Sequence, residues 1–451
     1  MTAKTSGRYL SLDFLRGLTI FGMILSAIQP SGVMPGWMYH VQNPPPTHDL
    51  DMSVAGIGWV DLVFPIFIFC MGAAIPFAKP TIKGIIGRFF MLWLFSYLYV
   101  FIISTNSWVT LAGFASLFPL YMVFKNTPRL FGKEIPVTAI RVAGALLVAG
   151  TIAVNHIWFG EVLSVQRRGI IIFLLAFLYL FGSLSWYFTQ KKPARRIFIW
   201  LGVMAFTIIT QKLDWPTTTY ANDSLRWWFN VEYFYFLLLL LPATYVGEFI
   251  KERLAAGEST ANPLETKPHA IVTVLCIALV VWMTYAFYMR LWWENMVLSG
   301  ILLGGIYAIV AKYLPHYKKT VLLGGFLIIA GELIEPYGGG IKKVPCTIQY
   351  CLATSGMAAM LLIASDFICN KAGNSFLVKI FHRAGKNPLM CYIAYTCMLL
   401  PIMKITGAIE LYRAAYPEGM HTIGFIRSAL VVLLTMWIVG LFTKRNIFWK
   451  A

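Results

Sequence analysis

The chain has 451 residues, of which 59% are hydrophobic and 12% are charged, and its mean hydropathy is +0.70. This composition excludes a water-soluble protein of this length. Many apolar stretches reach about 20 residues, enough for a helix to cross roughly 30 Å of hydrocarbon, whereas the alternating strands of a membrane barrel are absent from the sequence. We therefore predict an all-α fold, a polytopic transmembrane helix bundle that residues 1–451 form as a single domain.

The formal net charge of +18 would suit an anionic partner, but the placement of the 37 Lys and Arg residues indicates another role. Most of them form short clusters in every second connection between apolar segments, as the positive-inside rule describes for cytoplasmic loops. This pattern predicts two cytoplasmic termini and places the connection 30–56 on the outer face. The predicted partner is the lipid bilayer, and no nucleic-acid partner is expected.

About 14 membrane segments are predicted in chain order, within a range of 10–14 because short apolar segments can also be half-helices. They cover residues 10–29, 59–78, 85–104, 108–125, 135–155, 169–189, 197–212, 228–250, 270–289, 295–313, 320–334, 346–369, 388–403 and 422–442. The weakest are 108–125, 197–212 and 320–334. An even number of segments agrees with both termini lying in the cytoplasm.

The outer connection 30–56 combines His40, three consecutive prolines at 44–46 and His48. Because proline fixes φ and lacks a backbone donor, this stretch can be neither helix nor strand, and it holds an imidazole at the membrane surface. Histidine takes and returns a proton near neutral pH. We therefore expect a catalytic histidine in this connection, and we prefer His48 to His40.

Asp61 lies at the start of the next apolar segment, where an ionisable side chain is expected to face the bundle interior rather than lipid. Two interpretations are open. The carboxylate either has a structural partner, such as a backbone amide or an arginine, or it orients a catalytic base.

Asp13 and Arg16 are three residues apart and share one helical face at the inner end of the first segment. They either form an ion pair that fixes the depth of the helix, or Arg16 holds a phosphate of an anionic cofactor. Near the outer face, Glu335 precedes a glycine triplet that is followed by Lys342 and Lys343. These lysines either approach a phosphate or glycan or belong to a flexible loop.

The seven cysteines lie mostly within apolar segments, and neither a CxxC motif nor a Cys/His spacing typical of metal ligands is present in the sequence. We expect them to serve in packing. No metal site is predicted.

Two stretches carry a specific resemblance, RYLSLDFLRGLTIFGMIL near the start and GWVDLVFPIFIFCMGAAIPF in the second segment. Weaker matches are SVQRRGIII, GGGIKKVPCTIQYCLATSG, AGKNPLMCYIA and the terminal KRNIFWKA, and they follow in the same order along the whole chain. Together they resemble the heparan-α-glucosaminide N-acetyltransferase family of transmembrane acyltransferases, and the bacterial branch of that family more than the lysosomal enzyme.

The resemblance implies an enzyme that moves an acetyl group from cytoplasmic acetyl-CoA to an amino-sugar or glycan acceptor on the outer face. Acetyl-CoA would be a co-substrate, with no metal. A bacterial inner membrane is the expected location, and a homodimer is compatible with the sequence. The family's essential histidine lies on the outer side between the first two core helices. The position at that spacing here is Asp51, and the nearest histidine is His48.

The resemblance also implies roles for single residues. His48 would act either as a general base or as a nucleophile that carries the acetyl group, with Asp61 orienting its ring. Asn387 would bind the developing oxyanion. The remaining candidates are charged residues for the CoA phosphates and for the acceptor: Arg16, Lys386 and Asp13 on the cytoplasmic side, and Lys342, Lys343 and Glu335 on the outer side.

A secondary transporter for a sugar or organic anion is the alternative. The number of segments, the charges within them, and the proline- or glycine-interrupted stretches at 59–76 and 320–345 are typical of that class. Transporters usually contain repeated halves, and the two halves of this chain show no convincing similarity. We therefore prefer the acyltransferase.

Overall fold

The structure is a computed structural model that describes residues 9–124, 129–130, 133–215, 229–256 and 266–450. Its helices, numbered in chain order, are α1 (Leu10–Ile28), α2 (Trp59–Ala78), α3 (Ile82–Phe101), α4 (Ser107–Tyr121), α5 (Val137–Phe159), α6 (Ile170–Thr189), α7 (Ala194–Lys212), α8 (Glu232–Ala255), α9 (Thr266–Met289), α10 (Trp292–Tyr313), α11 (Lys318–Ile334), α12 (Ile348–Ala372), α13 (Phe376–Lys386), α14 (Pro388–Ile405), α15 (Ala408–Ala414) and α16 (His421–Lys444). Short 3₁₀ turns occupy Gly36–Met38 and Pro315–Tyr317, and two short antiparallel strands, β1 (Arg129–Leu130) and β2 (Lys133–Glu134), pair with each other.

Within the described residues, 12 helices are long and apolar enough to cross a membrane. The prediction of a polytopic helical bundle is therefore confirmed, and the number lies inside the predicted range but below the estimate of about 14. Two of the weak segments are not among these 12 helices, because α4 has only 15 residues and α11 has 17. The third, α7, has 19 residues and is counted. The end of the predicted segment 108–125 and the start of 228–250 lie outside the described residues.

The core of the bundle is formed by α2, α8 and α12, which are apolar on all sides. In their most apolar stretches 72%, 78% and 83% of the residues are buried, compared with 11% in α5. A helix that is apolar all round and buried must be surrounded by other helices. Accordingly, α12 packs against α1, α2, α8, α9 and α11, and α8 also packs along α2.

Close backbone contact between α1 and α13 depends on two glycines. A Cβ atom on Gly17 would lie 1.9 Å from the Phe381 carbonyl oxygen, and one on Gly385 would lie 1.7 Å from that of Asp13. Small residues allow membrane helices to approach in this way. The contact fixes α13 against the half of α1 that carries Asp13.

One end of the bundle, which we call the Asp366 end, is joined by a buried polar cluster. The Asp366 carboxylate accepts hydrogen bonds from the hydroxyls of Tyr9 and Tyr317, the latter at 2.7 Å, and pairs with Arg253 at 3.1 Å. Asp366 and Arg253 are 3% and 6% exposed. This Asp366 cluster links the start of α1, the end of α8, the turn before α11 and the end of α12.

Candidate functional site

At the opposite end of the bundle, which we call the His40 end, the segment 29–58 meets the segment 335–347. The buried Gln42 side chain joins them, because its Oε1 accepts hydrogen bonds from the backbone amides of Lys343 and Val344 at 3.1 and 2.8 Å. Its Nε2 donates to the Val344 carbonyl. A backbone hydrogen bond of 2.7 Å from Gly56 to Ile341 adds a second link. Two parts of the chain about 300 residues apart thus form one surface.

Asp61 is buried at the start of α2 and fixes the orientation of His40. Its Oδ1 lies 2.5 Å from His40 Nδ1, and its Oδ2 accepts hydrogen bonds from the amides of Val41 at 3.2 Å and Gly58 at 3.0 Å. Because a carboxylate only accepts, His40 Nδ1 is the donor in this contact, and Asp61 holds the ring through that nitrogen. The His40 side chain is 36% exposed, whereas that of Asp61 is 3% exposed.

Lys343 brings a positive charge to the same ring. Its Nζ lies 3.3 Å from His40 Nδ1, 3.4 Å from His40 Nε2 and 4.0 Å from Asp61 Oδ1. Burial lowers the pKa of the Lys343 ammonium, and the charge of Asp61 opposes that shift. Asp61, His40 and Lys343 therefore form a compact charged group, which we call the His40 triad.

A cavity of about 380 Å³ opens beside His40. Besides both histidines of the segment, its wall contains Ser26, Ala27, Gln29, Ser31, Tyr39, Asn43 and Val60. The volume is within the usual range for small-molecule sites, and the wall combines hydroxyl and amide side chains with apolar surface. A monosaccharide-sized ligand in this cavity would meet the imidazole of His40.

His48 lines the same cavity but is held by different partners. Its backbone has φ of +58°, its Nδ1 donates to the Asn43 carbonyl at 3.1 Å, and its carbonyl accepts from Asn43 Nδ2 at 3.1 Å. The ring packs edge-on against Tyr39 with 4.7 Å between centroids. The interpretation that Asp61 orients the His48 imidazole is therefore corrected, because the carboxylate contacts His40.

Arg16 and Asp13 form the ion pair that the sequence left open, at 3.1 Å. Arg16 also donates to the carbonyls of Gly385 at 3.2 Å and Cys70 at 3.3 Å, so it ties α1 to α13 and α2. Lys386 follows Gly385 at the end of α13 and is half-buried. These residues meet about 20 Å from the level of Gln29, given a rise of 1.5 Å per residue along α1.

Asn387 lies with this inner group and not with the His40 triad. Its Nδ2 donates to the Ile447 carbonyl at 3.0 Å, and its Oδ1 accepts from the Trp449 amide at 3.1 Å. The side chain is fully buried. Both amide atoms hold the C-terminal residues against the bundle, so this placement does not fit the expected role as an oxyanion donor beside a histidine.

Of the three residues expected to bind the acceptor, only Lys343 reaches His40. Lys342 donates from Nζ to the Met52 carbonyl at 3.0 Å and thereby braces the segment 29–58. Glu335 is 3% exposed and pairs with Arg290. These two residues support the loops around the site.

The sequence interpretation missed two residues that position the triad. Gln42 was read only as part of a proline-rich connection, and Tyr350 only as part of an apolar segment. The Tyr350 hydroxyl donates to the Asp61 carbonyl at 2.7 Å, across 289 residues of chain. The one sequence signal for Gln42 was its position two residues after His40, a candidate catalytic histidine.

Among the described residues, no three or more His, Cys, Asp or Glu side chains come together in a way that could hold a metal ion. Residues 8–250 match a family model described as "Domain of unknown function (DUF5009)". The matched region contains His40 and Asp61, and Lys343 lies beyond it. No curated protein matches the chain.

Proposed function

The chain belongs to the family described as "Domain of unknown function (DUF5009)", and we propose that this member is a membrane acyltransferase in which His40 is the general base. One observation carries the proposal, the 2.5 Å contact between His40 Nδ1 and the buried Asp61 carboxylate beside a 380 Å³ cavity. A carboxylate that fixes one ring nitrogen orients the other, beside which Lys343 Nζ lies at 3.4 Å, to accept a proton from a bound nucleophile.

The chemistry assigned to His40 is proton transfer. Nε2 removes the proton of the acceptor nucleophile as that nucleophile attacks the carbonyl carbon of an acetyl thioester. The C–S bond then breaks, and the thiolate takes the proton back from the imidazolium. General-base help of this kind contributes on the order of 10²–10⁴ in rate. A route in which Nε2 itself carries the acetyl group uses the same geometry.

Lys343 supplies the electrostatic part of the proposal. Negative charge develops on the carbonyl oxygen in the tetrahedral intermediate, and a positive group placed in advance stabilises it. The Lys343 Nζ lies 3.4 Å from His40 Nε2, the atom beside which the intermediate would form. We therefore assign to Lys343 the oxyanion-binding role that the resemblance implied for Asn387.

The donor is proposed to be acetyl-CoA, as the resemblance implies. Lys386 remains the candidate for a CoA phosphate, and Arg16, which is committed to Asp13 and two carbonyls, fixes the helix junction beside it. Along α1 the distance from Arg16 to Ser26, which lines the cavity, is about 15 Å. The thioester would enter along this helix, with the termini on the cytoplasmic side of a bacterial inner membrane and the His40 end outside.

The test is acetyl transfer by the purified protein in detergent, with glucosamine and N-acetylglucosamine as trial acceptors and released CoA as the readout. We expect the His40→Ala protein to lose at least about 100-fold in rate, because the base is removed. His48→Ala should stay within about threefold, and His156→Ala, a histidine near the far end of α5, serves as the matched control.

Loss of transfer in His48→Ala with activity kept in His40→Ala would reverse the assignment of the base. If the wild-type protein neither binds nor consumes acetyl-CoA, the acyltransferase proposal is wrong and the transporter takes its place.

A further inference from the structure

The wall of the cavity beside His40 offers neutral hydrogen-bonding groups. Ser26 donates its own hydroxyl to the Met23 carbonyl at 2.9 Å, which leaves its oxygen as an acceptor. Gln29, Ser31 and Asn43 contribute further amide and hydroxyl groups. Neutral donors and acceptors of this kind can each hydrogen-bond one hydroxyl of an uncharged sugar.

Tyr39 presents only its ring to a ligand. Its hydroxyl donates to the Pro30 carbonyl at 2.6 Å and accepts from the amides of Val33 and Met34 at 3.2 and 2.9 Å. The oxygen is thus fully used by the backbone. The part of the ring that lines the cavity, beside the His48 imidazole packed edge-on against it, offers an apolar contact for a sugar C–H group.

No carboxylate lies among the residues that line the cavity within the described parts of the chain. Asp61, the carboxylate beside His40, is committed to His40 and to the amides of Val41 and Gly58. An ammonium group entering the cavity would therefore lack a counter-ion. A buried charge without a partner is strongly disfavoured.

Lys343 makes the position beside His40 still less favourable for a cation. Its Nζ lies 3.3 Å and 3.4 Å from the two ring nitrogens, so a protonated amine that approached Nε2 would be placed next to a like charge. Like charges at such separations in a partly desolvated site repel strongly. A hydroxyl carries no charge before it reacts and meets no such repulsion.

We infer that the acceptor is a sugar hydroxyl rather than an amine, so that the transfer is an O-acylation, and that Lys343 is the residue that selects against amines. This inference rests on the proposed acyltransferase function and specifies its substrate class. In the step, the hydroxyl proton moves to His40 Nε2, a C–O bond forms at the acetyl carbon and the thioester C–S bond breaks. The thiolate then takes the proton, giving an ester and free CoA.

The test measures which bond is formed. The full-length protein in lipid nanodiscs is given acetyl-CoA with either N-acetylglucosamine, which offers only hydroxyls, or glucosamine, which also offers an amine. Mass spectrometry counts acetyl groups, and treatment with hydroxylamine distinguishes labile esters from stable amides. We expect ester to form from N-acetylglucosamine at least about tenfold faster than amide forms from glucosamine. Repulsion of the ammonium group by one neighbouring positive charge accounts for a difference of this size.

Lys343→Met removes the charge and should raise the ratio of amide to ester by about tenfold, even though the total rate falls with the loss of oxyanion stabilisation. Lys342→Met is the matched control, because its ammonium contacts the Met52 carbonyl and not the ring, and it should leave the ratio unchanged. The ratio reports on acceptor choice independently of how much active protein each preparation contains.

Amide as the main product of the wild-type protein would overturn the inference and leave the acyltransferase proposal in place. An unchanged ratio of amide to ester in Lys343→Met would overturn the role of Lys343. The acceptor class is read from the wild-type protein alone, so poor folding of Lys343→Met does not prevent that test. If the wild-type protein consumes no acetyl-CoA with either sugar, the proposed function itself is contradicted.

Discussion

The buried carboxylate of Asp61 anchors the His40 triad to the start of α2. Its two oxygens receive three donors, from His40 Nδ1 and from the amides of Val41 and Gly58. A negative charge buried in this way is compensated locally and can hold an imidazole in one tautomer. The triad is therefore a rigid arrangement set by the start of α2.

Asp61→Asn should lower kcat for acetyl transfer by on the order of 10²–10⁴ while KM changes little, because the amide no longer enforces the Nδ1–H tautomer. Initial rates of CoA release at varied acceptor concentration measure both constants, and the melting temperature shows whether the fold is kept. Asp51→Asn is the matched control, since the Asp51 carboxylate is exposed and accepts from Ser53. A variant whose KM rises with an unchanged kcat would contradict the positioning role of Asp61.

At the residue scale, the sequence singled out side chains that meet at the His40 end but did not predict how they pair. A histidine and Asp61 near the start of the second segment were identified as candidates, because an ionisable group at that place and a proline-fixed loop are unusual. The choice between His40 and His48 could not be made from the sequence, because both precede Asp61 in the same loop. His40 is 21 residues before Asp61, and only the folded path of the chain through the prolines shows which ring contacts the carboxylate.

At the scale of elements, apolar length was enough to locate the membrane helices but not to decide which are central. The helices α1 and α3 both qualify as spans, yet 67% of the most apolar stretch of α1 is buried and only 28% of that of α3. Lipid and protein interior are both apolar, so a helix facing either needs the same side chains. The links from Gln42 to Val344 and from Tyr350 to Asp61 were likewise invisible, because no periodic pattern connects residues so distant in sequence.

The short turn Pro315–Tyr317 between α10 and α11 provides a pH-dependent test of the Asp366 end. Burial lowers the pKa of His316 to about 4, the charges of Arg253 and His269 act in the same direction, and that of Asp366 opposes them. A histidine with a folded pKa below its ordinary value of 6.5 stabilises the fold fully above pH 6.5, and this contribution is lost as the pH falls toward 4.

We expect the wild-type melting temperature in detergent to fall between about pH 7.5 and about pH 5, and the His316→Gln variant to lose a few degrees less over the same interval. The side chain is half-buried, which limits the size of the effect. His156→Gln, at the end of α5, should follow the wild-type curve. Identical pH dependence of wild type and His316→Gln would show that the folded protein takes up the His316 proton without cost.

On the scale of the whole molecule, the distribution of positive charge predicts which face lies outside the cell, and the placement of cysteines makes that prediction measurable. All seven cysteines are unpaired and buried. A single introduced cysteine is therefore labelled against a low background. Thr47 at the His40 end and Lys191 between α6 and α7 are both exposed and offer one position on each face.

In intact bacterial cells, a membrane-impermeant maleimide should label Thr47→Cys readily and Lys191→Cys only after permeabilisation, because the connection between α6 and α7 is rich in Lys and Arg and should stay in the cytoplasm. The extent of labelling is read from a mass shift on a gel. The reverse pattern would mean that the His40 end faces the cytoplasm, and a donor and acceptor on opposite sides of the membrane would then be excluded.

The Gln42 link between the two loop segments has an evolutionary consequence. It joins a region that the family model covers, with His40 and Asp61, to a region beyond residue 250 that contains Lys343. In the proposed function, the residue assigned to proton transfer and the residue assigned to acceptor choice therefore lie in separable stretches of the gene. Under that proposal, substitutions near Lys343 shift the preferred acceptor at some cost in rate while His40 and Asp61 are kept, so that a lineage can diversify its products without replacing the base.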